Sequence, residues 1–347
     1  MLAIQFLPGS NSYPLPIHLS LSFDTGGIHV AESELTVGSL FVGRGEKTFG
    51  TQQVSVSGRQ VALPVFLING REPGPTLAVT AGIHAAEYAG IAAALELGRS
   101  LSPQALRGQV IIAPVANTAG FRARSIYVCP LDGVNLNRVF PGNPEGGATE
   151  QLAHWLFRNV IRQANYYVDL HGGDLIEALI PFTIYHRSGN EEVDRASIEM
   201  AKIFGIHYVV RSETKGSTYS AAAHAGIPGI LAESGGQGIW RPEDVALHTD
   251  GLNRLMCHLG MLAGPSPEPV PCTLLNQFIW QRSEHEGFWY PKISVGDSVQ
   301  ERQDLGAVLD FQGHVLQTVS SPAAGRVLFL VSSLAINQGD PLLAVGA

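Results

Sequence analysis

The stretch TLAVTAGIHAAEYAGIAAALELGRSL, Thr76–Leu101, decides the fold. Its first seven residues, Thr76–Gly82, are an almost continuous apolar run, the pattern of a strand buried on both faces. From Glu87 to Leu101, Ala and Leu recur at helical spacing, so EYAGIAAALELGRSL predicts a helix. The rhythm continues downstream. QVIIAPVAN (Gln109–Asn117), YYVDLHG (Tyr166–Gly172), HYVVR and GILAES (Gly229–Ser234) have the apolar character of strands. Between them TEQLAHWLFRNVI, SIEMAKIFG and SAAAHAG have helical periodicity, with Thr149 as the expected N-cap of the first. Strands alternating with helices imply an α/β fold, a mostly parallel or mixed open sheet flanked by helices on both faces.

Outward from this core the composition changes. Residues 1–33 are rich in Pro, Ser and Gly without periodicity and predict an irregular N-terminal extension. Shorter strand-like runs, QQVSVSG and ALPVFLI, begin the α/β domain, expected over 34–262. A long Gly/Asn/Pro-rich loop is expected from Thr118 to about Gly147. The proline-rich AGPSPEPVP, over 263–271, suits a linker. Beyond it, over 272–347, short strand-like runs recur with turn signals and without an amphipathic helix, which predicts a small all-β barrel or sandwich.

Apolar residues make up 45% and charged residues 15% of the 347, enough for a large core. A formal net charge of -8, without a basic cluster, argues against nucleic-acid and anionic-membrane partners. No apolar run is long enough to span a bilayer, and the N-terminus lacks the features of a secretory signal. The cysteines Cys129, Cys257 and Cys272 have no CxxC spacing and predict reduced thiols in a cytoplasmic protein.

The chemistry sits in the stretch that opened the reading. His84 follows a buried strand, and Glu87 lies three residues on, so an imidazole and a carboxylate on one helix face can reach one cation. On its own HxxE is a weak signal, because such pairs more often form surface hydrogen bonds or caps. Three features add weight. DLHGG places His171 just past a second strand, with two glycines that let backbone approach a ligand closely. ESGG places Glu233 at the same end of a third strand. Open α/β sheets bind ligands outside the carboxyl ends of their strands. Two histidines and one carboxylate leave zinc an open position for water, with Glu233 free to act as base. Asp169, on the same strand face as His171, is either an orienter of that imidazole or a partner for loop backbone. His154, His224 and His248 lack partners at metal spacing.

Taken together, GIHAAE, NLNRVFPG, DLHGG and ESGG resemble the succinylglutamate desuccinylase/aspartoacylase family, a branch of the zinc carboxypeptidase superfamily. The resemblance runs from about Leu35 to Gly260. It implies a zinc carboxypeptidase-like fold and one zinc ion per chain, held by His84, Glu87 and His171, with Glu233 as general acid/base. It further implies that Asn137 and Arg138 bind the substrate's carboxylate, a task for which the planar guanidinium fork is suited. FRARS offers Arg122 and Arg124 to polarise the carbonyl, and Arg124 is preferred. Members often carry a further arginine just beyond, where this chain has Ile126 and Tyr127. Ala85-Ala86 replace the Gly-Asp or Gly-Asn often found in the first motif, which leaves the ligands intact and alters the pocket.

The all-β tail is similar to the barrel-sandwich hybrid of biotinyl and lipoyl carriers. A carrier needs a lysine at one hairpin tip, yet that tip is Phe311-Gln312-Gly313-His314, and the module's lysine, Lys292, lies well before it. A cap over the active-site mouth or an oligomer contact fits better. The implied activity is zinc-dependent amide hydrolysis of a small N-acyl amino acid, with room for a homo-oligomer. The alternatives are a zinc carboxypeptidase acting on short peptides and a non-catalytic zinc-dependent ligand-binding protein. Glu233 weighs against the last, since a pure binder needs no base beside its metal. Neither GxSxG nor GxxxxGK[ST] occurs.

Overall fold

The computed structural model describes residues 34–347, and the expected N-terminal extension over 1–33 lies outside the described residues. The apolar runs become strands of a nine-stranded sheet. In chain order these are β1 (Glu46–Val56), β2 (Arg59–Asn69), β3 (Glu72–Ala81), β4 (Arg107–Ala113) and β5 (Tyr166–His171). They are followed by β6 (Phe182–His186), β7 (Tyr208–Ser212), β8 (Gly229–Glu233) and β9 (Thr273–Leu275). Across the sheet the order is β9-β7-β6-β8-β5-β3-β4-β2-β1. The central strands β4, β3, β5 and β8 are parallel. β6 runs antiparallel to β8, β7 and β9 follow the direction of β6, and β2 and β1 close the other edge antiparallel. The sheet is therefore mixed, with its parallel block at the centre.

Parallel strands need cover on both faces, which is why the central runs are apolar throughout. Helices α1 (Tyr88–Ser100), α4 (Glu191–Phe204) and α6 (Pro242–His258) pack on one face, against Leu77, Val79 and Val168. Helices α3 (Ala148–Asn159) and α5 (Thr218–His224) pack on the other, against Ala78, Ile111 and Leu231. α6 is not among the helices expected above; it begins with Pro242 in its first turn. The expected loop after Thr118 contains the short helix α2 (Thr118–Ala123) and a single turn at Leu136–Arg138. Gly147, not Thr149, caps α3: its N–H donates to Glu150 Oε2 at 2.9 Å, while Thr149 sits inside the first turn and bonds Asp132.

β9 lies beyond the proline-rich segment and completes the large sheet, so the all-β module proper starts at Phe278 rather than at 272. Its antiparallel strands close around Trp289, Val308, Leu342 and Val345. The strand Glu177–Leu179 of the α/β domain pairs with Gly325–Val331 of the module, so the two parts share a sheet. Among the described residues no helix is long and apolar enough to cross a membrane.

One packing contact sets the site. Gly90 in α1 lies against β5 so closely that a Cβ there would stand 2.8 Å from the Leu170 carbonyl oxygen. This approach brings the start of α1, where Glu87 sits, to the end of β5, where His171 sits. Gly90→Ala is expected to lower the unfolding free energy by about 1–3 kcal/mol, the usual effect of overpacking. Denaturant titration reads this, and an unchanged midpoint would show that the helix shifts freely.

Candidate active site

Strand register assembles the site. Along β5, β8 and β6 the residues His171, Glu233 and Phe182 stand side by side, because His171 pairs with Glu233 and Glu233 with Phe182. One row further along the same face lie Asp169, Leu231, Ile184 and Val210. β3 ends beside β5, and the chain then turns through His84 to Glu87 at the start of α1. Residues far apart in sequence thus meet at one rim, as expected of an α/β sheet.

Glu87 is the hub. Its Oε1 lies 2.8 Å from His84 Nδ1 and its Oε2 2.7 Å from His171 Nδ1. The two imidazoles stand edge to face, with ring centroids 5.0 Å apart. The donor atoms of the three residues all lie within 4.8 Å of one another. The far nitrogen of each ring is also engaged: His84 Nε2 faces Asn135 Oδ1 at 3.1 Å, and His171 Nε2 faces Asp169 Oδ2 at 2.9 Å. Asn135 and Asp169 hold each ring at Nε2, so that both Nδ1 atoms point to the place a shared cation would take. The donor set and its convergence fit a zinc ion. Asp169 is itself fully buried and also accepts from Thr80 and Thr218.

Charge balance follows from the packing. Burial opposes ionisation of Glu87, but His171 and His84 outweigh it and hold its carboxyl down at about 2. Burial likewise disfavours an imidazolium at His171, yet Asp169 and Glu87 outweigh it and push that ring well above the usual imidazole range. Glu233 is different. Burial raises its carboxyl well above the ordinary range, and the charge of Glu87 adds to the effect. Its Oε2 is buried without a hydrogen-bond partner among the described residues.

His84, Glu87, His171 and Glu233 line one cavity of about 630 Å³, together with Asn137 and Arg138. The Asn137 side-chain oxygen accepts from the Thr218 N–H at 3.0 Å, and the Arg138 guanidinium donates to the Asn137 carbonyl at 2.8 Å. Arg124 is placed otherwise. It is exposed at the C-terminal end of α2 in a left-handed conformation, its N–H is taken up by the Gly120 and Phe121 carbonyls, and it does not line the cavity. Of the two glycines after His171, Gly172 lines the cavity, and both lie close to neighbouring backbone. Side chains there would collide with the Ser234 and Glu177 carbonyl oxygens, at 2.4 and 2.3 Å, so they admit neighbouring backbone.

Three contributors went unnoticed in the sequence. Asn135, the first residue of NLNR, braces His84. Tyr127 lines the cavity in a left-handed conformation, φ 51°, which a bulky side chain rarely adopts. Its N–H donates to Asp174 Oδ2 at 3.0 Å. Burial raises the Glu177 carboxyl to about 8. The module contributes Phe278, Trp280, Arg282 and Phe329 to the cavity wall.

Comparison with known proteins identifies the family and the fold. A sequence model of the succinylglutamate desuccinylase/aspartoacylase catalytic domain matches residues 73–259. An N-alpha-acetyl-L-2,4-diaminobutyric acid deacetylase of Halomonas elongata is 29% identical over 341 residues, covering 96% of this chain and 95% of that protein. The product-bound structure of the ectoine utilization protein EutE (DoeB) of Ruegeria pomeroyi superposes with a TM-score of 0.77 at 27% identity, over 87% of this chain and 95% of that one. A succinylglutamate desuccinylase/aspartoacylase structure from Rhodobacter sphaeroides shares the fold, with a TM-score of 0.76 at 23% identity over 87% of this chain and 95% of that one.

The bracing of His171 is testable. Asp169→Asn is expected to weaken zinc binding about 10- to 100-fold, the usual effect of removing a partner behind a ligand imidazole. Competition with a chromogenic chelator measures it, and wild-type affinity in the variant would contradict the orienting role.

Proposed function

The chain belongs to the succinylglutamate desuccinylase/aspartoacylase family, and from that premise we propose that it is a zinc-dependent deacylase of small N-acylated amino acids. The observation that carries the proposal is the partnerless buried Oε2 of Glu233, in one cavity with the converging His84, Glu87 and His171. The Halomonas relative, named for deacetylation of an N-acetylated diamino acid, supports the substrate class. The three cysteines, none of them in a disulfide among the described residues, are compatible with a cytoplasmic setting.

His84, Glu87 and His171 would hold the zinc ion. When bound, it supplies Lewis-acid chemistry, an acidified water and a polarised amide carbonyl. The protein's own groups do the rest. Glu233 takes a proton from the attacking water and passes it to the nitrogen of the leaving amine, as its raised carboxyl and free oxygen suit it to do. Arg138 and Asn137, which line the same cavity, bind and orient the carboxylate of the amino acid. Because Arg124 stands outside the cavity, the hydrogen-bond donor for the developing oxyanion falls to Tyr127. Its ring is edge-on to His84 at 6.4 Å between centroids, which places it beside the candidate metal ligands.

One assay tests this. Zinc-loaded protein is expected to hydrolyse N-acetyl, N-formyl or N-succinyl amino acids in preference to short peptides. In the same assay Glu233→Gln should keep its zinc and lose about 10²- to 10⁴-fold in kcat, as expected for a missing acid/base group. Tyr127→Phe should lose about 10²-fold, as for one missing oxyanion donor. Full activity in Glu233→Gln would exclude the mechanism. Full activity in Tyr127→Phe would remove only the tyrosine from it.

A further inference from the structure

The cavity is chemically two-sided. One end is the polar cluster around Glu87. The other is a run of apolar side chains built by two different parts of the fold. On the sheet, the row Leu231–Ile184–Val210 crosses β8, β6 and β7, with Phe182 beside Glu233 in the next row. Opposite them stand Phe278, Trp280 and Phe329 of the all-β module. Phe182 packs on Phe278 with centroids 5.5 Å apart, and Trp280 packs on Phe278 at 5.0 Å and on Phe329 at 4.9 Å.

Phe182, Leu231, Val210 and Phe329 are buried in this packing, and Ile184, Phe278 and Trp280 present the accessible apolar wall. All of these side chains face the same cavity as the polar cluster, and Trp280 remains 39% exposed at its wall. A volume of about 630 Å³ is far more than an acetyl group on a small amino acid would fill, and it lies in the range of cavities that bury ligands of drug size. A substrate that covers the accessible part of this wall gains binding free energy in proportion to the apolar area removed from water. Arg282, whose guanidinium lies 5.7 Å from the Trp280 ring centroid, and Arg211 give the far rim a polar edge.

We propose that the apolar half of the cavity is a subsite for an extended apolar group on the substrate, an alkyl chain or an aromatic ring, with the all-β module acting as the specificity element. The inference rests on the deacylase reading for the class of substrate, while the subsite itself is defined by the walls. The apolar group belongs either to the acyl chain or to the amino-acid side chain. Phe182 stands next to Glu233 in register, so the group starts within one residue of the acid/base carboxyl.

Calorimetric binding to Glu233→Gln, which lacks the acid/base carboxyl, tests the subsite separately from turnover. Two ligand series are compared: alanine bearing acetyl, butanoyl, hexanoyl or octanoyl groups, and N-acetyl derivatives of Ala, Leu, Phe and Trp. Affinity should rise in one series by about fourfold per buried methylene, and about 50-fold or more from acetyl to hexanoyl or from Ala to Phe. The series that rises identifies the source of the apolar group. Trp280→Ala on the same background should reduce the long-to-short affinity ratio about tenfold, and the ratio is unaffected by any loss of folded protein. Flat or falling affinity in both series overturns the subsite, even where the wild-type enzyme hydrolyses the acetyl compounds. Rising affinity without wild-type turnover of any member would support the subsite and overturn the deacylase reading.

Discussion

The structure turns on a single carboxylate placed between two imidazoles. Glu87 faces His84 with one oxygen and His171 with the other, and no other group among the described residues brings the two rings together. Everything around it keeps that geometry rigid. Gly90 lets α1 settle against β5, Asn135 and Asp169 brace the far side of each ring, and the Gly172 N–H donates to Glu87 Oε2 at 3.2 Å. A cluster of charged groups buried to this degree is favourable only when every partner is in place. The bracing therefore matters as much as the ligands.

The second constraint is strand register. A slip of one residue between β5 and β8 would turn Glu233 to the other face of the sheet, away from His171. Register is fixed here because the central strands are buried on both faces and their side chains interlock with two helical layers. The antiparallel β6 then carries the same face outward, from Glu233 to Phe182 and Ile184, and so sets the direction in which the cavity extends. The module closes that direction. It is not a free appendage, since its strand Gly325–Val331 pairs with Glu177–Leu179 and its aromatic side chains line the cavity.

Much of this was legible in the sequence, for physical reasons. Buried parallel strands have to be apolar throughout, so Thr76–Gly82, Tyr166–Gly172 and Gly229–Ser234 stood out, and with them the rim that holds His84, His171 and Glu233. Asp169 was visible as a neighbour of His171 on one strand face, and the structure adds its contact with the ring nitrogen. The strand directions at the edges were not legible, because a five-residue apolar run such as Phe182–His186 carries no mark of its direction. Arg124 misled for a similar reason: charge and proximity in sequence do not reveal that the residue ends a helix in a left-handed turn and faces solvent. Tyr127 and Trp280 reach the cavity through backbone strain and a contact between domains, and neither leaves a local trace in the chain.

The central claim is that three residues from two segments make one metal site. Titration of metal-free protein with Zn²⁺, followed by calorimetry, tests it most directly. The account predicts one tight equivalent per chain in the wild type, and loss of that tight phase in both His84→Ala and His171→Ala. A tight equivalent retained in both variants would contradict it.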